Sequence, residues 1–187
     1  MINPIQQYSR HKRGTMLVTT SRRPSHRTRI FCRELVGVVP RSHYVPRGAK
    51  TIDDVAFIAR KLDHNRVMAV ESTTEGPKEL RFLEVDEAWR WINARVELGK
   101  LKLKRDIGRP KRFDELTIFA EGDRALKFAR WVGKFLDIGC SNKLPDSGVI
   151  AQITSDDGLK LLFRIMPSSD TVGPSIEIKN FGPLRKE

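Results

Sequence analysis

The order of predicted elements, which occurs twice along the chain, is the feature that most constrains the fold. A strand, a basic helix and a pair of strands are predicted before residue 106, and the same order recurs after residue 115. The first copy opens with the β-branched run MLVTT at 16–20, and the second opens with LTIFA at 116–120. A chain of 187 residues can fold two such units around one shared core. We therefore predict an α/β fold of two similar halves, each with a small mixed or antiparallel sheet and helices. The alternative is a chance likeness between alternating segments.

The composition along the chain suggests where these halves begin and end. We expect an N-terminal half over about 16–106, a linker over about 107–115 and a C-terminal half over about 116–187. Residues 1–15 are basic and lack the apolar stretch of a secretion signal, which is typical of a flexible arm. The sequence holds no apolar run near 18 residues, so no membrane span and a cytoplasmic location are expected.

Hydrophobic spacing and capping residues place the helices. The first helix is predicted to begin near Pro24 or Ser25, because Pro suits a first helical position. Its buried stripe is expected to comprise Ile30, Phe31, Leu35 and Val38. A second helix is predicted from Thr51 as cap to about Leu62, with the last residue facing the core. A third runs over 122–136. Further strands are predicted at 66–73, 80–85, 149–154, 159–166 and 175–182.

Residues 86–98 fit two kinds of element. Asp86 as cap and Gly99 as stop would bound a helix. The alternation of Ile92, Ala94, Val96 and Leu98 would equally make a strand. Spacing alone leaves both open.

Positive charge is concentrated in two stretches. The net charge is +12, which favours a polyanionic partner. Residues 1–50 hold eleven Lys and Arg residues against one acid, and residues 99–113 hold seven against one. The remaining two stretches are slightly acidic. Such clustering indicates binding surfaces, because a charge kept for solubility alone would be spread evenly.

Arginine and histidine crowd the predicted start of the first helix. The unpaired amides of a helix start carry a partial positive charge, so further cations there are unfavourable unless an anion is bound. Phosphate fits such a site, because amides and guanidinium groups can grip it together. We predict a main RNA-binding group of Arg22, Arg23, His26, Arg27, Arg29 and Arg33, extended by Arg47, Lys102, Lys104 and Arg105. The alternative is a solvated basic turn.

Other candidates for RNA contact are weaker. The third helix carries a second basic row, for which RNA binding and a solvated face both stay open: Arg124, Lys127, Arg130 and Lys134. Trp89, Trp91 and Trp131 are expected to pack in the core or between the halves rather than to stack on bases. Tyr44 is the aromatic residue that we expect to face RNA.

Signals for catalysis or a metal are absent from the sequence. It contains none of the motifs GxSxG, HExxH, GxGxxG or a phosphate loop ending in Lys-Ser/Thr. Its two cysteines, Cys32 and Cys140, are too few for a disulfide framework or a zinc site. We therefore expect no catalytic residues, no metal and no cofactor.

Several segments in order resemble a known family. They are TTSRRPSHRTRIF, with its TSR-x-PS-x-RT pattern, then VPRGAKTIDD, LKLKRDIG and SIEIKNFGPL. From residue 16 to about 184 the chain resembles Brix-domain proteins, most of all the archaeal branch similar to a pre-ribosomal RNA processing factor of the small-subunit processome. The resemblance implies two halves that are each like the anticodon-binding domain of class II aminoacyl-tRNA synthetases. It also favours a strand for roughly 92–105.

Together these observations predict a non-enzymatic ribosomal RNA-binding factor in ribosome biogenesis. Its expected partners are ribosomal or pre-ribosomal RNA and other ribosome assembly proteins, with no membrane and a monomeric state. The alternatives are a resident ribosomal protein and an RNA-processing enzyme.

Overall fold

The computed structural model describes residues 16–104 and 112–182. The predicted arm, Arg105 and most of the predicted linker lie outside these ranges, as does the end of the chain after residue 182.

The described elements follow the predicted order in both halves. The first half comprises β1 (Met16–Thr20), α1 (His26–Val38), β2 (Ser42–Tyr44), α2 (Ile52–Lys61), β3 (Arg66–Ser72), β4 (Pro77–Val85) and β5 (Trp89–Lys102). The second comprises β6 (Thr117–Glu121), α3 (Asp123–Leu136), β7 (Cys140–Ser141), β8 (Gly148–Thr154), β9 (Leu159–Met166), β10 (Asp170–Thr171) and β11 (Ser175–Gly182). The predicted helices are confirmed. The ambiguous stretch over 86–98 belongs mainly to a strand, as the family resemblance favoured.

The strands form one mixed sheet whose order repeats about its centre. The order is β2-β1-β3-β4-β5-β11-β9-β8-β6-β7, with β10 paired to β9. In the first half β1 is parallel to β2 and β3, and in the second β6 is parallel to β7 and β8. The other pairs are antiparallel, including the central pair of β5 and β11. The two halves therefore have the same strand order and join through their last long strands.

Helices cover both faces of the sheet in the first half. The larger core lies on the face covered by α1 and α3, and it includes buried side chains from strands of both halves. The smaller core lies under α2 on the other face, where Val55, Ala56 and Ala59 meet Leu17 and Val67. The prediction that Leu62 faces this core is wrong. That residue follows the last helical turn and is 40% exposed.

Aromatic contacts join the halves in the larger core. Phe82 of β4 lies with its ring centroid 4.8 Å from those of Trp131 and Phe135, both on α3. Conversely, Gly173 of the second half lies against α1 of the first. A Cβ added to this glycine would lie only 2.9 Å from Val38 of α1 and 3.0 Å from Phe163 of β9. Each helix thus reaches toward the other half. An apolar cavity of about 50 Å³ remains between the two helices and the sheet. The prediction that the tryptophans pack in the core or between the halves is confirmed for Trp131, and Trp89 and Trp91 are partly buried against the smaller core.

Candidate nucleic-acid interface

The topology gathers the predicted RNA-binding residues at one edge of the sheet. Because β1, β2 and β3 are parallel, the segments that follow them leave from the same edge. These are the turn at 21–25, the loop at 45–50 and the turn at 73–76. Strand β5 is antiparallel to β4, so its last residues reach that edge as well. We call residues 21–29, 45–50 and 102–104, together with the exposed Arg33 farther along α1, the basic edge.

The start of α1 is built as an anion-accepting helix end. Ser25 caps the helix in an extended conformation, and its hydroxyl accepts a hydrogen bond from the backbone N–H of Thr28 at 3.2 Å. The first turn of α1 contains no acidic residue, so nothing from the helix itself offsets its positive end. Arg22, Arg23 and His26 are exposed beside it. The arrangement therefore presents cations and the amide-rich helix end to solvent together.

Cations from two separate segments lie close together here. Burial is the main cause that lowers the pKa of Arg47, and the charge of Arg22 lowers it further. Glu71 and Asp54 partly oppose this effect. The Arg47 Nε donates to the carbonyl oxygen of Lys50 at 2.6 Å, which fixes the guanidinium within its loop. The repulsion between Arg22 and Arg47 favours an anion at this position, because an anion relieves it.

Arg27 connects the helix to the sheet rather than only to solvent. A terminal guanidinium nitrogen of Arg27 donates to the carbonyl oxygen of Leu101 at 2.5 Å. Its side chain also lies over the turn between β3 and β4, where a Cβ on Gly76 would meet the Arg27 Cδ at 3.1 Å. The sequence predicted only a phosphate contact for this residue. In the structure it fixes the start of α1 against the end of β5, which brings Lys102 to the basic edge.

The remaining predicted residues occupy three kinds of position. Arg29 is half-buried, and its guanidinium donates to the carbonyl oxygen of Pro24 at 3.3 Å. Arg33 and Lys102 are exposed, the first nearly two turns along α1 and the second at the end of β5. The backbone N–H of Lys104 donates to the carboxylate of Glu34 at 2.8 Å. The sequence did not predict this backbone hydrogen bond between Lys104 and Glu34.

Tyr44, the aromatic residue expected to face RNA, lies partly against the larger core. Its ring packs against the larger core, and its hydroxyl is buried. Burial is the main cause that raises its pKa. Tyr44 is therefore partly buried, with its hydroxyl turned toward the core, and its contact with RNA stays a prediction.

Two other features bear on the chemistry. His43 and His64 were not predicted to meet, yet His43 Nδ1 lies 2.8 Å from His64 Nε2, and His64 is buried. Over the described ranges, no group of three or more His, Cys, Asp or Glu residues is placed to hold a metal ion. Within the same ranges, none of the helices is both long and apolar enough to cross a bilayer.

Solved structures share this fold. The chain superposes on the crystal structure of a probable ribosomal biogenesis protein from Aeropyrum pernix K1 with a TM-score of 0.74 and 24% sequence identity. That match covers 87% of this chain and 94% of the other. Mil, an archaeal Imp4-like protein, matches with a TM-score of 0.64 and 19% identity over 90% of this chain and 99% of its own. The chain thus has the fold of archaeal proteins of this class.

Sequence relatives carry a more specific name. Two relatives are named probable Brix domain-containing ribosomal biogenesis protein. The one from Thermococcus kodakarensis is 39% identical over 94 residues, which are 50% of this chain and 45% of that protein. The one from Pyrococcus horikoshii is 35% identical over 94 residues, which are 50% of this chain and 42% of that protein. A protein of the same name from Methanopyrus kandleri is 31% identical over 90 residues, 48% of this chain and 47% of its own. The matches span about half the length of these curated relatives. No protein-family model matches the chain. These relatives confirm the resemblance to Brix-domain proteins.

Proposed function

We propose that this protein is a ribosome biogenesis factor that holds ribosomal RNA through its phosphates at the basic edge. One observation carries the proposal: exposed guanidinium groups surround the amide-rich start of a helix whose first turn has no acid. The names of the sequence relatives supply the biological setting.

The geometry favours positioning of an RNA backbone. Guanidinium groups can form paired hydrogen bonds to phosphate oxygens, and the free amides of α1 add a directed partial charge. Contacts of this kind fix orientation and carry little sequence information. Selectivity would have to come from RNA shape or from bases splayed out of loops.

The proposal describes a binding factor and includes no chemical step. Four finer expectations from the sequence belong to it. The resemblance implies halves like anticodon-binding domains, and we further expect assembly proteins as partners, a monomeric state and a cytoplasmic location. Incubation of the pure protein with pre-ribosomal RNA and Mg²⁺ is expected to leave the RNA intact and unmodified. Cleavage or modification would favour the RNA-processing enzyme instead.

A triple substitution tests the basic edge directly. R22Q/R23Q/R33Q removes three exposed cations and spares Arg27, whose bond to Leu101 supports the fold. A matched control, K61Q/K143Q/K160Q, removes the same charge from side chains that lie outside this edge. In filter binding, the first variant is expected to bind all RNAs more weakly than the control does, by a similar factor for each RNA. Its melting temperature should stay near that of the control. Equal RNA affinity of the two variants would show that the RNA-binding surface lies elsewhere.

A second experiment separates an assembly factor from a resident ribosomal protein. In sucrose gradients of cell extracts, an assembly factor is expected to migrate with immature particles and to be missing from mature ribosomes. Stoichiometric recovery in mature ribosomes would favour the resident protein.

A further inference from the structure

The outer face of α3 carries a continuous row of cations that the proposed function does not use. Its members are all exposed: Arg124, Lys127, Arg130 and Lys134. Spacings of three or four residues place them along one side of the helix, over about 15 Å at 1.5 Å per residue. The only acid within α3 is Asp123, its first residue. The four side chains therefore form a row of positive charges on a rigid helix.

Three basic residues elsewhere on the described surface are paired with acids. Arg90 is bonded to Glu84, Arg95 lies between Glu79 and Glu97, and Lys160 is bonded to Asp157. None of the four cations of α3 takes part in an ion pair among the described residues. Arg124 instead donates to the backbone carbonyl oxygen of Lys179 at 3.0 Å. The row thus keeps its charge available for a partner.

The repeat relates two members of this row, Arg124 and Arg130, to arginines of α1. In each half, an arginine in the first turns of the helix donates to a backbone carbonyl of the last long strand. Arg27 bonds to Leu101 of β5, and Arg124 bonds to Lys179 of β11. A buried phenylalanine follows each arginine four residues later, and an exposed arginine follows six residues later, at Arg33 and Arg130. The two helices therefore present corresponding positions.

Both helices lie on the same face of the sheet, but they begin at opposite edges. They share one core, and side chains of both line the same apolar cavity. The succession of parallel and antiparallel pairs makes β6 run opposite to β1. Helix α3, which follows β6, accordingly starts at the edge away from the basic edge. Two basic surfaces are thus spread across one side of the molecule.

We propose that the row on α3 is a second phosphate-binding surface, which holds another stretch of the RNA bound at the basic edge. The proposal rests on the proposed function. A nucleic acid backbone carries a charge on every repeating unit, so it matches a row of like charges without any sequence requirement. An acidic protein segment would need carboxylates in a particular register. The protein would therefore hold a structured RNA across its whole helical face.

The helix is anchored independently of this row, so the row can be changed without loss of the fold. Trp131 lies between Phe128 and Phe135, with ring centroids 6.3 and 6.0 Å away, and packs on Phe82 at 4.8 Å. Neutralising the outer side chains leaves these contacts in place. K127Q/R130Q/K134Q also spares Arg124 and its backbone bond.

The test compares this variant with K61Q/K143Q/K160Q, the control of equal charge, on two RNAs. One RNA is a structured ribosomal fragment long enough to reach both surfaces, and the other is a short single strand that reaches only one. On the long RNA, the slope of log K against log salt is expected to become less steep by about 2, since three phosphate contacts are lost. On the short RNA, the slope of the α3 variant should stay near the slope of the control. A variant with the control's slope on both RNAs would overturn the proposal.

Other outcomes show which of the two proposals has failed. If the wild-type protein binds neither RNA, the proposed function fails and this inference fails with it. If R22Q/R23Q/R33Q loses RNA binding while the α3 variant behaves as its control, only the second surface is wrong. RNA binding that is unchanged in the α3 variant, together with a loss of binding to polyglutamate, would overturn the proposal and assign the row to an acidic protein.

Discussion

Replacement of Phe82 by Ala tests whether the two halves share one cooperative core. Phe82 lies on β4 in the first half and is only 1% exposed. Its ring contacts Trp131 and Phe135 of the second half, both in edge-on geometry at 4.8 Å between centroids. Its removal therefore weakens the contact between the halves together with the core itself.

The structure sets the expected magnitude. Truncation of a buried Phe to Ala costs about 3–5 kcal/mol, which includes the cavity that is left behind. Each favourable aromatic pair contributes about 0.5–1.5 kcal/mol beyond buried area, so the upper part of that range applies. The existing cavity of about 50 Å³ is lined by the same Phe82, so the new void enlarges an unfilled space. We expect a loss of about 4–5 kcal/mol and a melting temperature lower by about 8–20 °C.

Urea unfolding followed by far-UV circular dichroism and by tryptophan fluorescence measures this loss. The two signals should coincide in a single transition, because residues of both halves form one core. Phe57→Ala is the matched control, since Phe57 is 51% exposed on α2, and its cost should stay within about 0.5 kcal/mol. A cost for Phe82→Ala as small as that of the control, or separate transitions for the halves, would refute a shared core.

Two further predictions concern local chemistry. Burial raises the pKa of the Cys32 thiol to about 12 and also raises that of Cys140. At pH 8 a disulfide reagent should therefore leave Cys32 unmodified in the folded protein and react slowly with Cys140, while both react in urea; rapid modification of Cys32 would contradict its burial. Thr51→Ala removes a capping box in which Thr51 and Asp54 bond reciprocally, and should cost about 1 kcal/mol in urea unfolding. The backbone N–H and the hydroxyl of Thr51 lower the pKa of Asp54, so the stabilisation from these bonds is present above the carboxyl's unfolded pKa and is lost as pH falls through its folded pKa; a cost of Asp54→Ala that is unchanged at low pH would contradict it.

Local signals in the sequence were sufficient for most elements. The cap at Thr51 and the acids after it predicted the start of α2, and the β-branched run at 16–20 predicted β1. Periodicity could not decide residues 86–98, because Trp89, Ile92 and Val96 also fit a helix. Strand pairing determines that this stretch is extended. Strand β5 lies between β4 and β11 and forms backbone hydrogen bonds with both, and no local sequence pattern reveals these distant partners.

The candidate site was predictable in its charge but not in its contacts. Arg22, Arg23 and Arg27 around the start of α1 are exposed as expected. The bond from Arg27 to Leu101 joins residues 74 positions apart, so it depends on how β5 returns to the edge. Tyr44 carries no sequence signal for its direction, since β2 has only three residues. The pairing of β2 with β1 determines that its ring packs inward.

The salt dependence of RNA binding tests the central claim most directly. If the basic edge neutralises about six phosphates, log K for the wild-type protein should fall against log salt with a slope of about −4 to −5. The measurement is a filter-binding titration, at several salt concentrations, of a short single-stranded RNA that reaches only the basic edge. A slope in that range supports phosphate binding by the clustered cations, whereas a slope near zero would contradict it.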